Sequence, residues 1–391
     1  MARMLSPVKA TGTTFRTDTL ESMVTATPPE SPRPGAEPAT GVAQVAARVA
    51  RWAEGPQGPV TLEVYPTLTC NLACTFCDTT DRHRAPVNEL SSARWVEIVD
   101  EAHALGVQRV FVLGGGEPLV RRDVTPALMR QVKALGMEGI LTTNGTLLDA
   151  ALTDELIDIG WDEIHFSIDG PTPEIHDPLR GMAGAFKKTV RAACRLAVRK
   201  RQRGLTKPRI ALHFVLTRAN WTTLPDMVRL AHSLGAFRID FDALIAYTPE
   251  QQALRLTASE QAAVPEVAAR ALAVADELGV ATTLENMLHP ERMDRGSAAP
   301  TAPDVPGLRG APCLKAWHYL VVQADGKTSP CCVLAGEGGS VRDQPVGALW
   351  QDDPFLNQVR EGMLSKQPMP RCRECSWNIL AHEALIRDHL P

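Results

Sequence analysis

The chain has no surplus of basic charge and no long apolar run, and each lack closes off a class of function. Across 391 residues, 41 lysines and arginines stand against 45 aspartates and glutamates, a formal net charge of -4. So weak a field gives no electrostatic grip on nucleic acid or on an anionic membrane surface. No stretch approaches the roughly 20 consecutive apolar residues that a spanning helix needs. The opening "MARMLSPVKATGTTFRTDTL" also lacks the apolar core of a secretory signal. The expectation is a cytoplasmic protein with neither a nucleic-acid nor a membrane partner. In a reducing cytoplasm, nine clustered cysteines read as metal ligands rather than as a disulfide framework.

Large apolar groups are scarce at the start as well. Residues 1–40, which include "TATPPESPRPGAEPAT", are expected to form a disordered arm, because they bury too little to offset the entropy of ordering. Residues 41–60 hold a helix-spaced segment, "GVAQVAARVARWAE", and a Gly-Pro lead-in. Over 61–288, strand-like runs such as "RVFVLG", "DEIHFSID", "RIALHFVLT" and "FRIDFDALI" alternate with helix-period segments. That alternation predicts an α/β domain, a partial (β/α)6 barrel with no convincing seventh or eighth repeat. A Pro/Gly-rich linker follows over 289–311, and 312–391 form a compact segment holding five of the cysteines.

Cys70, Cys74 and Cys77 lie within eight residues at the end of the first strand, in "YPTLTCNLACTFC". Three thiolates on one loop leave one iron of a [4Fe-4S] cluster without a protein ligand, open to a substrate or cofactor. One strand later comes "LGGGEPL", then "TTNG" and "SIDG". Together these motifs resemble the radical S-adenosylmethionine (SAM) enzymes over residues 61 to about 285 and again in the cysteine-rich tail. The resemblance implies a TIM-like radical SAM barrel in which SAM, chelated to the open iron, is cleaved to a 5'-deoxyadenosyl radical. It also implies site roles. Gly115, Gly116 and Glu117 match the family's GGE motif for the SAM amino group, and Phe76 is placed against the adenine. Ser167 and Arg180 resemble the residues that hold the methionine carboxylate and ribose, Asn220 falls near the ribose, and Asn144 of "TTNG" joins the cofactor-binding set.

Strand alternation adds an independent reading. Ile164, Phe166 and Ile168 share one face and His165, Ser167 and Asp169 the other; Glu63, Tyr65, His213, Arg238, Asp240 and Asp242 likewise point away from the helix-facing side. The barrel interior is therefore polar, suited to a polyhydroxylated or peptide substrate, with His213 and Asp240 as candidate bases.

In the tail, Cys313 and Cys331 bracket a predicted hairpin with an Asp325-Gly326 turn, and Cys372 and Cys375 close the set. A four-thiolate zinc ribbon has the same ligand count. In a chain with the radical SAM pattern, the set resembles a small Cys-rich SPASM/twitch domain holding an auxiliary [4Fe-4S] cluster. Cys332 is an alternative to its neighbour as ligand, and Cys194 reads as a small buried apolar residue.

The cysteine spacing is also similar to that of aminocyclitol dehydrogenases. This implies an oxidoreductase of secondary metabolism that dehydrogenates a small-molecule substrate of sugar or cyclitol type. The auxiliary cluster would accept an electron, and a flavodoxin- or ferredoxin-type reductant would supply the primary one. A maturase of a ribosomally made peptide and an epimerase using Cys332 as hydrogen donor are the alternatives. A non-catalytic cluster carrier is disfavoured by the GGE and SIDG motifs.

Overall fold

The computed structural model describes residues 39–77, 88–289 and 304–390. The arm expected over 1–40 falls almost wholly outside the described residues, as do linker positions 290–303. The strands are β1 (Thr61–Val64), β2 (Arg109–Val112), β3 (Glu138–Thr143), β4 (Glu163–Ser167), β5 (Arg209–Leu216), β6 (Arg238–Ala243), β7 (Ala281–Thr282), β8 (Tyr319–Val322) and β9 (Thr328–Ser329). They form one sheet in the order β7-β6-β5-β4-β3-β2-β1-β8-β9. Neighbours from β1 to β7 pair in parallel, which requires the crossover helices between them.

The alternation read from sequence separates the two faces. In β5, Ile210, Leu212, Phe214 and Leu216 are buried, while His213 on the other face is only partly covered. They belong to the main core, which also gathers Trp95, Ile98, Leu128, Met129, Val228 and Val267 from the crossover helices. Each such side chain contributes roughly 1.5–3 kcal/mol on burial. Helix starts are fixed locally: Ser91 caps Ser92–Ala104, Asp149 caps Ala150–Asp158, and Thr257 forms a capping box with Glu260 on Ala258–Leu278. Cys194 lies in the helix Ala185–Gln202, partly buried against this core.

The sheet goes further than the six expected strands. On one edge the two-residue β7 pairs with β6. On the other, β8 from the tail pairs in parallel with β1, from Thr61 opposite Tyr319 to Val64 opposite Val322. The expected hairpin is present: β9 returns antiparallel to β8, with Gly326 N donating to Gln323 O in the turn. A second core gathers Val42, Val45 and Val49 of the helix Ala39–Ala50 with Leu314, Trp317, Val359, Met363 and Ile386 of the tail. Arg360 is clasped there between Trp52 and Trp350, 4.9 and 4.6 Å from their rings. Burial lowers its pKa to about 10. Because β1 to β6 are parallel, the loops that follow them leave on the same side, which is where chemistry concentrates in such sheets. Among the described residues, no helix is long and apolar enough to cross a membrane.

Candidate active site and auxiliary thiol cavity

Cys70, Cys74 and Cys77 sit on the loop leaving β1, and each side of that loop is tied down. Glu89 accepts from Thr67 Oγ1 at 2.6 Å and Leu68 N at 3.0 Å, and pairs with Arg121 at 2.6 Å. Gly116 N donates to Thr67 O at 3.0 Å and Glu117 N to Thr69 O at 2.9 Å. A Cβ on Gly116 would stand 2.1 Å from Thr69 O, so the two loops approach this closely only because the residue is glycine. The same holds where Gly181 meets Ala73 O, again at 2.1 Å, beside the bond from Thr75 N to Leu179 O. Gln251, from the short helix Pro249–Gln252 after β6, donates to Cys77 O at 3.0 Å. Burial raises the Cys70 thiol to about 11. Burial raises Cys74 too, with Arg180 working in the opposite direction.

The residues expected to contact SAM divide into two groups. Glu117 is buried and joins the ends of β2 and β3, accepting from Thr143 Oγ1 at 2.7 Å, Asn144 N at 2.7 Å and Leu119 N at 3.1 Å. Burial raises its pKa against those bonds. Asn144 Nδ2 donates to Asn71 Oδ1 at 2.9 Å, linking the third strand's loop to the cysteine loop. Gly115 packs on Leu68 beside it. Arg180 lies 5.3 Å from the Phe76 ring and 3.9 Å from Cys74 Sγ, and pairs with fully buried Asp169 at 2.5 Å. Ser167 ends β4, in register with His213. Asn220 sits on the loop that follows β5. It is fully buried, and its amide is spent on Thr217 N at 2.7 Å and on the carbonyls of Asp169 and Val215, both at 2.9 Å. These bonds lock the loop after β5.

The two candidate bases have different partners. His213 Nε2 meets Asp242, not Asp240, at 2.7 Å. Asp240 is turned to Arg238 at 3.0 Å. Burial opposes a charged His213 ring, but the bond to Asp242 and the charges of Asp242, Asp240 and Asp169 outweigh it and raise its pKa. Asp242 in turn accepts from Asn378 Nδ2 at 2.7 Å and Ser376 Oγ at 3.2 Å, both just beyond Cys375. His165 bonds Glu163 at 3.0 Å, with Arg209 on the same carboxylate; Glu163 and Arg209 open their strands, at the end away from the cysteine loop.

Cys313, Cys331, Cys372 and Cys375 line one cavity with Val333, Leu334 and Met363. Cys331 faces it; Cys332 is absent from the lining and is exposed. Burial pushes Cys372 up to about 11 and Cys375 to about 12, and raises Cys313 and Cys331 as well. Sequence reasoning had placed these four thiols but not Gln251, Ser376 or Asn378, which carry no motif of their own.

The radical SAM superfamily pattern matches residues 64–231, and that of an iron-sulfur cluster-binding domain, SPASM, matches 313–376. The PqqA peptide cyclase of Granulibacter bethesdensis is 30% identical over 332 residues, covering 82% of this chain and 81% of that protein. The chain belongs to the radical SAM superfamily. This radical SAM enzyme is also 28% identical over 307 residues to the AdoMet-dependent heme synthase of Oleidesulfovibrio alaskensis, covering 75% of each. Its fold matches Streptococcus suis SuiB bound to S-adenosylmethionine with a TM-score of 0.63, at 18% identity over 84% of this chain and 75% of that one.

A SPASM-bearing radical SAM enzyme uses SAM and [4Fe-4S] clusters, and the donor sets fit them. Four thiols spread around an apolar cavity suit a cluster with one iron per thiolate. Thiols that burial keeps protonated release those protons on loading, so metal is what stabilises their ionised form.

Proposed function

We propose that this radical SAM enzyme is a maturase of a ribosomally made peptide, removing two hydrogens to form a new bond or an unsaturation. The observation that carries it is the 30% identity to a PqqA peptide cyclase across four-fifths of both chains. It favours a peptide over the sugar or cyclitol expected from cysteine spacing.

In this reading Cys70, Cys74 and Cys77 hold the SAM-binding cluster, and Cys313, Cys331, Cys372 and Cys375 the auxiliary one. When bound, these groups and SAM supply a hydrogen-abstracting radical and an electron acceptor. The chain's own residues do the rest. Glu117 and the Gly115–Gly116 backbone shape the amino-group pocket, Phe76 and Arg180 one wall beside it, and Asn144 fixes the third-strand loop against the cysteines. His213, oriented by Asp242, takes the proton that the peptide sheds as it also gives up one electron. Hydrogen atom, proton and electron together make the loss of two hydrogens.

The test is anaerobic reconstitution with SAM and dithionite, offering a panel of synthetic peptides and a panel of sugars and cyclitols. Peptide-dependent 5'-deoxyadenosine with a peptide lighter by two hydrogens is expected. Turnover of a small polyol with every peptide inert would overturn the reading. A flavodoxin- or ferredoxin-type protein would replace dithionite in the cell.

A further inference from the structure

Lys315 lies two residues beyond Cys313 and lines the four-thiol cavity. Its ammonium does not rest on a carboxylate but on the face of Tyr319, 3.6 Å from the ring centroid. Nearby carboxylates are already engaged. Glu63 accepts from Tyr65 OH at 2.7 Å and from Tyr319 OH, and Glu383 accepts from Leu314 N at 3.0 Å and from His318 at 3.2 Å. Tyr319 is held at both ends, by the pairing of β8 with β1 and by its phenol on Glu63. Tyr65 carries the chain of contacts on, its ring packing under Gly114 in the GGE loop. The ammonium is therefore held on a tyrosine face in the wall of the cavity that Cys313, Cys331, Cys372 and Cys375 also line.

Reducing a [4Fe-4S] cluster adds one negative charge to it. A cation beside an apolar cavity is weakly screened and favours the reduced form, and local charge is one of the levers on cluster potential. We infer that Lys315 is a positioning residue for electron transfer: it places a fixed positive charge beside the auxiliary cluster and makes that cluster easier to reduce. This rests on the reading that a cluster fills the four-thiol cavity and takes an electron there. No bond forms or breaks in the step; one electron enters the cluster, and the cation compensates its charge.

The experiment is a redox titration of the reconstituted full chain with dithionite, followed by electron paramagnetic resonance. Cys70, Cys74 and Cys77 are replaced by alanine so that the auxiliary signal stands alone. In that background Lys315→Met, which keeps the stem and loses the charge, should disfavour reduction about tenfold, a fall of about 59 mV for one electron. Lys315→Arg should stay near the parent, and Tyr319→Leu, which removes the perch, should move part of the way toward Lys315→Met. A Lys315→Met titration within about twofold of the parent, with the signal intact, would overturn the inference. So would Lys315→Arg falling as far as Lys315→Met, since that points to packing rather than charge. Absence of any auxiliary signal in the parent would instead defeat the underlying reading, and iron analysis separates that case from the others.

Discussion

Asn378 donates to Asp242 at 2.7 Å, joining residues 136 positions apart. Asn378 follows Cys375 by three residues, and Asp242 is the penultimate residue of the sixth strand, beside His213. The last thiol of the auxiliary cavity and the proposed proton acceptor are thus linked through one partly buried amide and carboxylate.

The link predicts a pH dependence. The pKa of folded His213 is raised above its ordinary value of 6.5, so its protonation stabilises the fold fully below 6.5, and that contribution is lost as pH rises through the folded value. Asp242→Asn should remove this dependence, flattening stability against pH above 6.5, as read by urea denaturation at several pH values. The acid limb of the rate profile should move to lower pH in the same variant, because a neutral ring accepts the proton. Unchanged curves in both measurements would sever His213 from Asp242 functionally.

His213→Ala should separate radical generation from product formation. A positioned base is worth roughly 100-fold to 10,000-fold, so product formation should fall by at least about 100-fold while 5'-deoxyadenosine still accumulates. Equal loss of both signals in folded protein would remove the residue from the proton step.

Metal counting tests the two thiol sets. Two cubane clusters give about eight irons per chain, and alanine at Cys70, Cys74 and Cys77 should leave about four. Cys372→Ala with Cys375→Ala should also leave about four but preserve SAM cleavage. Wild type with about four irons and one zinc would defeat the auxiliary-cluster assignment.

Gly116→Ala should break the cysteine loop, since its Cβ would stand 2.1 Å from Thr69 O. The expected result is loss of the primary cluster's iron with the auxiliary signal retained. Gly347→Ala is the control: its Cβ would stand 3.3 Å from a Leu105 methyl, and stability should change by no more than about 1 kcal/mol. Full primary iron in Gly116→Ala would show that the loops tolerate separation.

The Asp169 and Arg180 pair is buried, so removing one partner leaves a lone charge. Asp169→Asn should cost about 3–5 kcal/mol in denaturant unfolding and weaken SAM binding. Asp169→Asn combined with Arg180→Met should recover much of the stability but not the binding. A single variant as stable as wild type would mean that solvent reaches the pair.

What the sequence determined by itself was local. The three-cysteine spacing, the glycine run one strand later and the period-two alternation of β4 to β6 depend only on neighbours in the chain, and the structure keeps them all. Tertiary structure decided which groups meet. Asp240 and Asp242 lie on one face of β6; Asp240 stands opposite His213 in register but is turned to Arg238, while Asp242, held by the arriving Asn378, becomes the partner of His213. Asn220 carries a family-like motif, yet its burial spends the amide on backbone. Nothing in "HYLVV" says that β8 will add to the edge of β1, or that the helix Ala39–Ala50 will complete the tail's core. Strand addition joins backbone groups whatever their side chains, and a buried apolar face accepts any complementary one. Those choices belong to distant parts of the chain meeting in space, not to any stretch of residues read alone.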